Sequence, residues 1–321
     1  MSGKISVVIP LFNKGPYIAR TLDSILIQTF QDFEVIVVDD GSTDDGAEIV
    51  RGFDDPRIQL IQQVNQGESA ARNRGVDEAL SDFVAFLDAD DEWMPNHLET
   101  ILRLIEKYPE AGMYATAYKI RNSNGKTRLA DYKYIPNPPW EGLLPDYFKS
   151  GTYGEFPVNS SVAVIPRKIF QEVGGFPEGY WWGPDADLFG KIALKYPVAF
   201  SWELGAIYHW DAENRACDRR IPLDYEEPFI KTARSALMKG EVPQELTESL
   251  NEYMWTKEYD RAIQNVQAGF PHTAKTILKQ FTTKTTKWNF KEKIKWFLLI
   301  NLPGPLFLLI RGIKRKLINT V

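Results

Sequence analysis

The run Phe83-Val84-Ala85-Phe86-Leu87-Asp88-Ala89-Asp90-Asp91 decides how this chain is read. Five apolar residues, too few for an independent helix, read as a buried strand. That strand stops at three carboxylates within four positions. Open α/β sheets bind their ligands at the carboxyl ends of strands. Like charges this close repel and shift each other's pKa unless a cation sits among them. Oxygen donors of this kind suit a hard divalent ion such as Mg²⁺ or Mn²⁺. A solvated acidic turn capping the next helix is the alternative that a bare Asp-x-Asp leaves open.

The residues before this run supply its context. Ile5 to Ile9 is a short apolar strand closed by Pro10, with Leu11-Phe12-Asn13 as a loop and Gly15-Pro16 opening a helix. Ile18, Leu22, Ile25 and Leu26 give that helix one buried face. Phe33 to Val38 is the next strand, and it stops at Asp39-Asp40-Gly41-Ser42-Thr43-Asp44, whose Ser, Thr and Asp suit an N-cap for a helix from about residue 45. Ile58 to Ile61 is a third strand, and Gly67-Glu68-Ser69-Ala70-Ala71-Arg72-Asn73-Arg74-Gly75 leads a helix to about Leu80. A further helix is expected from Met94 to Tyr108. Strands alternating with helices predict an α/β fold with a mostly parallel sheet covered on both faces. Both acidic clusters then lie on one sheet edge.

Ser6-Val7-Val8-Ile9-Pro10, Val38-Asp39-Asp40-Gly41-Ser42, Ala71-Arg72-Asn73 and Leu87-Asp88-Ala89-Asp90-Asp91 occur in this order and spacing. Together they resemble family 2 glycosyltransferases, which are inverting, metal-dependent enzymes of the GT-A fold that use nucleotide-diphospho-sugars. The resemblance covers about the first 125 residues, and extends more loosely to about 215. It implies that Pro10 and Phe12 line the nucleotide base pocket and that Asp40 accepts a hydrogen bond from the base, usually uracil. Asp39 points into structure or toward the ribose. Arg72 neutralises or orients the nucleotide, since guanidinium suits phosphate and carbonyl partners; an exposed helix cation is its bland reading. Asp88 touches the ribose or a metal-bound water, Asp90 binds a manganese or magnesium ion that bridges the diphosphate, and Asp91 is an N-cap or supporting acid.

An inverting transfer needs a base for the acceptor hydroxyl and no covalent nucleophile. Gly174-Gly175-Phe176 and then Gly183-Pro184-Asp185-Ala186-Asp187 resemble the family's base segment, where most relatives read Gly-Glu-Asp. Pro184 replaces the glutamate, and Asp185 keeps the place of the base. Asp187 competes for that role; helix N-terminal stabilisation is the bland reading for both. Trp181 and Trp182 beside the base suit stacking on sugar rings, or core packing. Tyr208-His209-Trp210-Asp211-Ala212-Glu213-Asn214 resembles the segment that supplies a late histidine ligand, and its register leaves His209 or Asp211 at the metal.

The chain has 321 residues and a net charge of −5. Its one cysteine, Cys217, excludes a disulfide scaffold, and three histidines argue against a zinc site. No Walker-type loop, no Gly-x-Gly-x-x-Gly and no internal repeat is present. Three regions are expected: a GT-A catalytic domain over 1–225 (1–125 for the nucleotide-sugar, 126–225 for the acceptor), a helical extension over 226–283, and a tail over 284–321. The tail carries nine Lys or Arg against one acid. Its segments Trp296–Ile300 and Leu306–Ile310 flank Asn301-Leu302-Pro303-Gly304-Pro305, too short and broken for a simple bilayer crossing. An interfacial anchor on anionic lipid fits this pattern; packing against the catalytic domain is the alternative. The apolar residues are too dense for a nucleic-acid patch. Because no signal peptide is read ahead of the first strand, the enzyme is expected in the cytoplasm, peripheral on the inner face of the membrane. The expected acceptor is a cell-surface glycan or lipid-linked sugar. Two rivals stand: a nucleotidyltransferase of related fold, which lacks its usual Gly-rich basic loop here, and a nucleotide-sugar-binding protein with a decayed site.

Overall fold

A computed structural model describes residues 5–213, 215 and 225–281. The expected tail over 284–321 lies outside the described residues, as does Cys217. The first part of the chain runs β1 (Ile5–Leu11), α1 (Gly15–Leu26), β2 (Phe33–Asp39), α2 (Gly46–Arg51), β3 (Ile58–Gln62), α3 (Glu68–Glu78) and β4 (Phe83–Phe86). These four strands pair in parallel in the order β3-β2-β1-β4. Every aliphatic residue of β1 except Pro10 is buried, as are Ile18, Leu22 and Ile25 on α1. A strand covered by helices on both faces reads as a continuous apolar run, which is why β1 and β2 could be seen in the sequence.

α3 lies directly on β1. A side chain at Gly75 would put its Cβ 2.4 Å from Val8 Cγ1, so the helix can approach only because that residue is glycine. α2 starts at Gly46 without a side-chain cap from Asp45. The carboxylate of Asp44 instead accepts from Gly46 N (3.1 Å) and from Gly15 N (2.7 Å), serving the starts of α1 and α2 together.

The second part of the chain continues the sheet in mixed directions. β5 (Glu92–Trp93), α4 (His97–Lys107), β6 (Met113–Arg121), β7 (Thr127–Leu129), β8 (Glu141–Leu143), α5 (Tyr147–Tyr153), β9 (Val164–Pro166), α6 (Arg167–Val173), α7 (Pro184–Ala193) and β10 (Val198–His209) follow in order. β9 lies antiparallel between β4 and β6, and β10 runs parallel to β6. Ten strands thus form one sheet among the described residues, with β7 and β8 pairing off its main path. The helix expected from Met94 begins at His97, since Glu92–Trp93 pairs antiparallel with β10.

The described residues fall into two compact units. The first carries the sheet and extends through Glu226–Val242. There α8 (Pro228–Lys239) packs on α7, with Phe229 against Gly190, where a Cβ would come within 2.2 Å of the ring. The second unit holds α9 (Thr247–Gln267) and α10 (Pro271–Phe281), packed on each other through Trp255, Ile263, Ile277 and Leu278.

Candidate active site

The two acidic strand ends lie side by side on one edge of the sheet, because β2, β1 and β4 are adjacent and parallel. At the end of β2, Asp39 and Asp40 are each 2% exposed. Asp39 accepts from Ser42 N (3.0 Å) and Gln62 Nε2 (2.9 Å). Asp40 accepts from Gln63 Nε2, Gln66 N and Gly67 N, all at 2.8 Å. Its carboxylate therefore ties β2 to the residue that starts α3, the helix that carries Arg72. Pro10 is inside β1 rather than in the loop after it, while Phe12 is exposed at the loop. Asn13 takes a left-handed backbone and clasps the neighbouring loop, accepting from Thr43 N at 2.8 Å.

At the end of β4 the carboxylates meet cations. Arg72, 3% exposed, donates to Asp88 Oδ1 (2.6 Å) and to Glu68, and its guanidinium lies over the Phe176 ring (5.1 Å). Its Nε is buried without a hydrogen-bond partner among the described residues. Burial pulls the guanidinium pKa down, and the charges of Glu68 and Asp88 outweigh it and hold it above its ordinary value. Asp90 pairs with Lys14 Nζ at 2.6 Å. Burial pushes the Asp90 carboxyl up, Lys14 opposes this, and the charge of Asp88 adds to it.

Asp91 is fully buried and does not cap α4, whose N-cap is Asn96. It accepts from Ser161 Oγ and from His209 N (2.8 Å), so it fastens the acidic turn to β10. Burial, followed by the charges of Asp90 and Asp88, holds its carboxyl well above the usual range. Ser161 also accepts from Asp88 N at 3.3 Å. Nothing in the sequence around Ser161 marks it for this contact.

The base segment sits on the first turn of α7, where Gly183 takes a left-handed backbone before Pro184. Asp187 is buried, accepts from Thr232 Oγ1 (2.6 Å) on α8 and pairs with Lys191 (2.5 Å). Asp185 is half-buried, with Oδ1 accepting from the neighbouring Ala186 N at 2.9 Å. Its charge raises Glu68 together with those of Asp88 and Asp90, behind burial and against the pull of Arg72. Asp185 lies within electrostatic reach of Glu68 and Arg72, and Asp187 belongs to the α7–α8 packing. Asn73 links the two: its side chain donates to Phe176 O (2.9 Å) and accepts from Phe176 N (3.0 Å), anchoring the loop before α7 on α3. Trp181 and Trp182 are both half-buried, with ring centroids 6.2 Å apart.

His209 is 1% exposed and held between two carboxylates, Nε2 to Glu92 Oε1 at 2.7 Å and Nδ1 to Asp211 Oδ1 at 3.0 Å. Both ring nitrogens are thus engaged by carboxylates. No group of three or more His, Cys, Asp or Glu among the described residues could hold a metal unaided. A Mg²⁺-like ion is nonetheless commonly held by one or two carboxylates together with substrate phosphates and water. Asp88 and Asp90 fit that donor set, and the short Lys14–Asp90 contact shows that Asp90 already attracts a cation.

A mixed ten-stranded sheet with flanking helices, whose adjacent parallel strands end in acidic turns, has the architecture of a glycosyltransferase of the GT-A type. Residues 6–174 match glycosyl transferase family 2, and the chain belongs to that family. It is 32% identical to the glycosyltransferase GlyG of Streptococcus pneumoniae over 211 residues, covering 62% of this chain and 68% of GlyG. It is likewise 32% identical to an uncharacterized glycosyltransferase of Nostoc sp. over 228 residues, covering 67% of this chain and 70% of the relative. The crystal structure of S. aureus TarS 1-349 in complex with UDP-GlcNAc shares the fold at a TM-score of 0.63 and 20% identity, covering 92% of this chain and 79% of that one. This membership does not favour the nucleotidyltransferase or the decayed binding protein.

Proposed function

We propose that this glycosyltransferase moves one sugar from a nucleotide-diphospho-sugar, with a UDP-sugar as the expected donor, to a hydroxyl of a cell-surface glycan or lipid-linked acceptor, inverting the anomeric carbon. The observation that carries the reading is the division of labour on α7. Asp187 is consumed by Thr232 and Lys191, whereas Asp185 stays half-buried, close enough to Glu68 and Arg72 for its charge to act on both. This difference supports Asp185, rather than Asp187, as the base. The bound UDP-GlcNAc and UDP of the TarS structures support a uridine nucleotide on a fold of this kind.

In this reading the base and ribose lie against Phe12, Pro10 and the Asp39–Asp40 turn. Arg72, whose Nε has no hydrogen-bond partner among the described residues, orients the nucleotide. Asp88 and Asp90 would hold a divalent ion, which supplies Lewis-acid stabilisation for charge growing on the leaving diphosphate. Asp185 takes the proton from the acceptor hydroxyl as its oxygen attacks the anomeric carbon. The sugar–phosphate bond breaks on the opposite face, and the nucleoside diphosphate departs with the bonding pair. Trp181 and Trp182 offer the acceptor sugar a stacking surface. His209, fixed by Glu92 and Asp211, holds the carboxyl end of β10 against the site.

One further part of the proposal rests on the sequence. The tail over 284–321 would hold the enzyme on the anionic inner face of the cytoplasmic membrane, near a lipid-linked acceptor. No helix among the described residues is long and apolar enough to cross a membrane.

A thermal-shift screen of nucleotide sugars with Mn²⁺, followed by turnover with the donor found, tests the function. A ligand that binds only the folded state raises the melting temperature according to its concentration over its Kd. A UDP-sugar should shift the wild type and the Asp185→Asn variant alike, with transfer lost only in the variant. Wild-type turnover by Asp185→Asn would remove the base assignment.

A further inference from the structure

Lys14 lies outside the residues that the family resemblance marks, yet it stands at the centre of the site. It precedes α1, and its side chain is 12% exposed. Nζ donates to Asp90 Oδ2 at 2.6 Å and to the Glu213 carbonyl at 2.7 Å. Three residues on, Tyr17 Oη accepts from Glu213 N at 3.0 Å. The start of α1 therefore grips both the carbonyl and the amide of Glu213, in the segment after β10, while placing a positive charge on the acid read as the metal ligand.

An ammonium has three N–H donors. Two are committed, so one remains for an added anion. A divalent cation that arrives alone must compete with Lys14 for Asp90 and sit beside a like charge. One that arrives with a diphosphate brings the anion that can accept the ammonium. We propose that Lys14 couples the two halves of donor binding, holding the cation position on Asp90 until a diphosphate takes its charge, so that divalent ion and nucleotide bind together rather than singly. Such a coupling is reciprocal, and each ligand raises the affinity of the other by the same factor. The inference rests on the reading of Asp90 as the metal-bridging acid.

Mn²⁺ titration of the full chain followed by electron paramagnetic resonance, with and without UDP, tests it without recourse to turnover. The wild type should bind Mn²⁺ weakly alone and much more tightly with UDP. Lys14→Met should bind Mn²⁺ alone at least about tenfold more tightly, equivalent to about 1.4 kcal/mol, and lose most of the UDP effect. Lys14→Arg, which keeps the charge, should stay close to wild type. If Lys14→Met does not fold, Lys14→Gln carries the same expectation, because its amide can still donate to Asp90 and Glu213 without a charge. Unchanged Mn²⁺ affinity in the uncharged variants, with UDP-dependent binding retained, would leave Lys14 a structural tie and overturn the coupling alone. Mn²⁺ binding that is absent even with UDP, or indifferent to Asp90→Asn, would overturn the metal reading of Asp90 and the coupling with it.

Discussion

The Asp39–Asp40 turn and the Asp88–Asp91 turn look alike in the sequence, and both close parallel strands on the same edge of the sheet. Their partners differ in kind. Asp39 and Asp40 are met by backbone amides and glutamine side chains, all neutral, which hold the loops between β2 and α3 in one shape. Asp88 and Asp90 are met by the charges of Arg72 and Lys14. Neutral donors fixed by the chain make a wall. Cations on long side chains can move or be displaced, so the second turn is a place where charge is exchanged. Asp91, locked to Ser161 and β10, and Thr21, which donates to the Ala89 and Asp91 carbonyls, give that turn a rigid footing.

The sharpest test of this contrast is Asp90→Asn. Transfer should fall by about 10⁴-fold, several kcal/mol of lost charge stabilisation, while the melting temperature changes little because a buried carboxylate is being neutralised. A large loss of stability with residual turnover would make this turn structural after all.

Next in size is the contrast on α7. Asp185→Asn should lower transfer by about 10³-fold, within the range for general-base catalysis, and leave donor binding intact. Asp187→Ala should instead cost stability, by less than the about 3–5 kcal/mol of a fully buried pair because Lys191 can turn to solvent. Denaturant titration beside single-turnover kinetics separates the two, and exchanged results would exchange the roles.

Asp40→Ala should behave as the mirror image of Asp90→Asn. Losing the acceptor for three donors should destabilise the fold by about 2 kcal/mol, read as a lower urea midpoint. Donor KM should rise with it, since the same residue is read as a nucleotide contact. An unchanged midpoint would show that water replaces the carboxylate and that the wall is not rigid.

The smallest expected effect on chemistry comes from the sequence alone. Truncation after Thr283 removes a stretch with nine basic residues and leaves both acidic turns and Asp185 in place. Donor hydrolysis should persist, while sedimentation with anionic liposomes at low salt is lost, each basic residue near such a surface contributing about 1 kcal/mol. Full-length protein that does not sediment would end the anchor reading.

The sequence by itself determined the alternation β1-α1-β2-α2-β3-α3-β4 and the two acidic strand ends, because a strand buried on both faces must be apolar along its length and must stop where charge begins. Gly75 against Val8 belongs to the same class: a close approach of helix to strand leaves its mark as one missing side chain. Contacts between distant segments leave no such mark. Lys14 with Asp90, Ser161 with Asp91 and Thr232 with Asp187 join positions 76, 70 and 45 residues apart, each made by an ordinary residue in an ordinary loop or helix. Two aspartates two positions apart on α7 are equivalent as letters. Only the packing of α8 decided that one would be buried as an anchor and the other left half-buried, since an i and i+2 pair points to different sides of a helix.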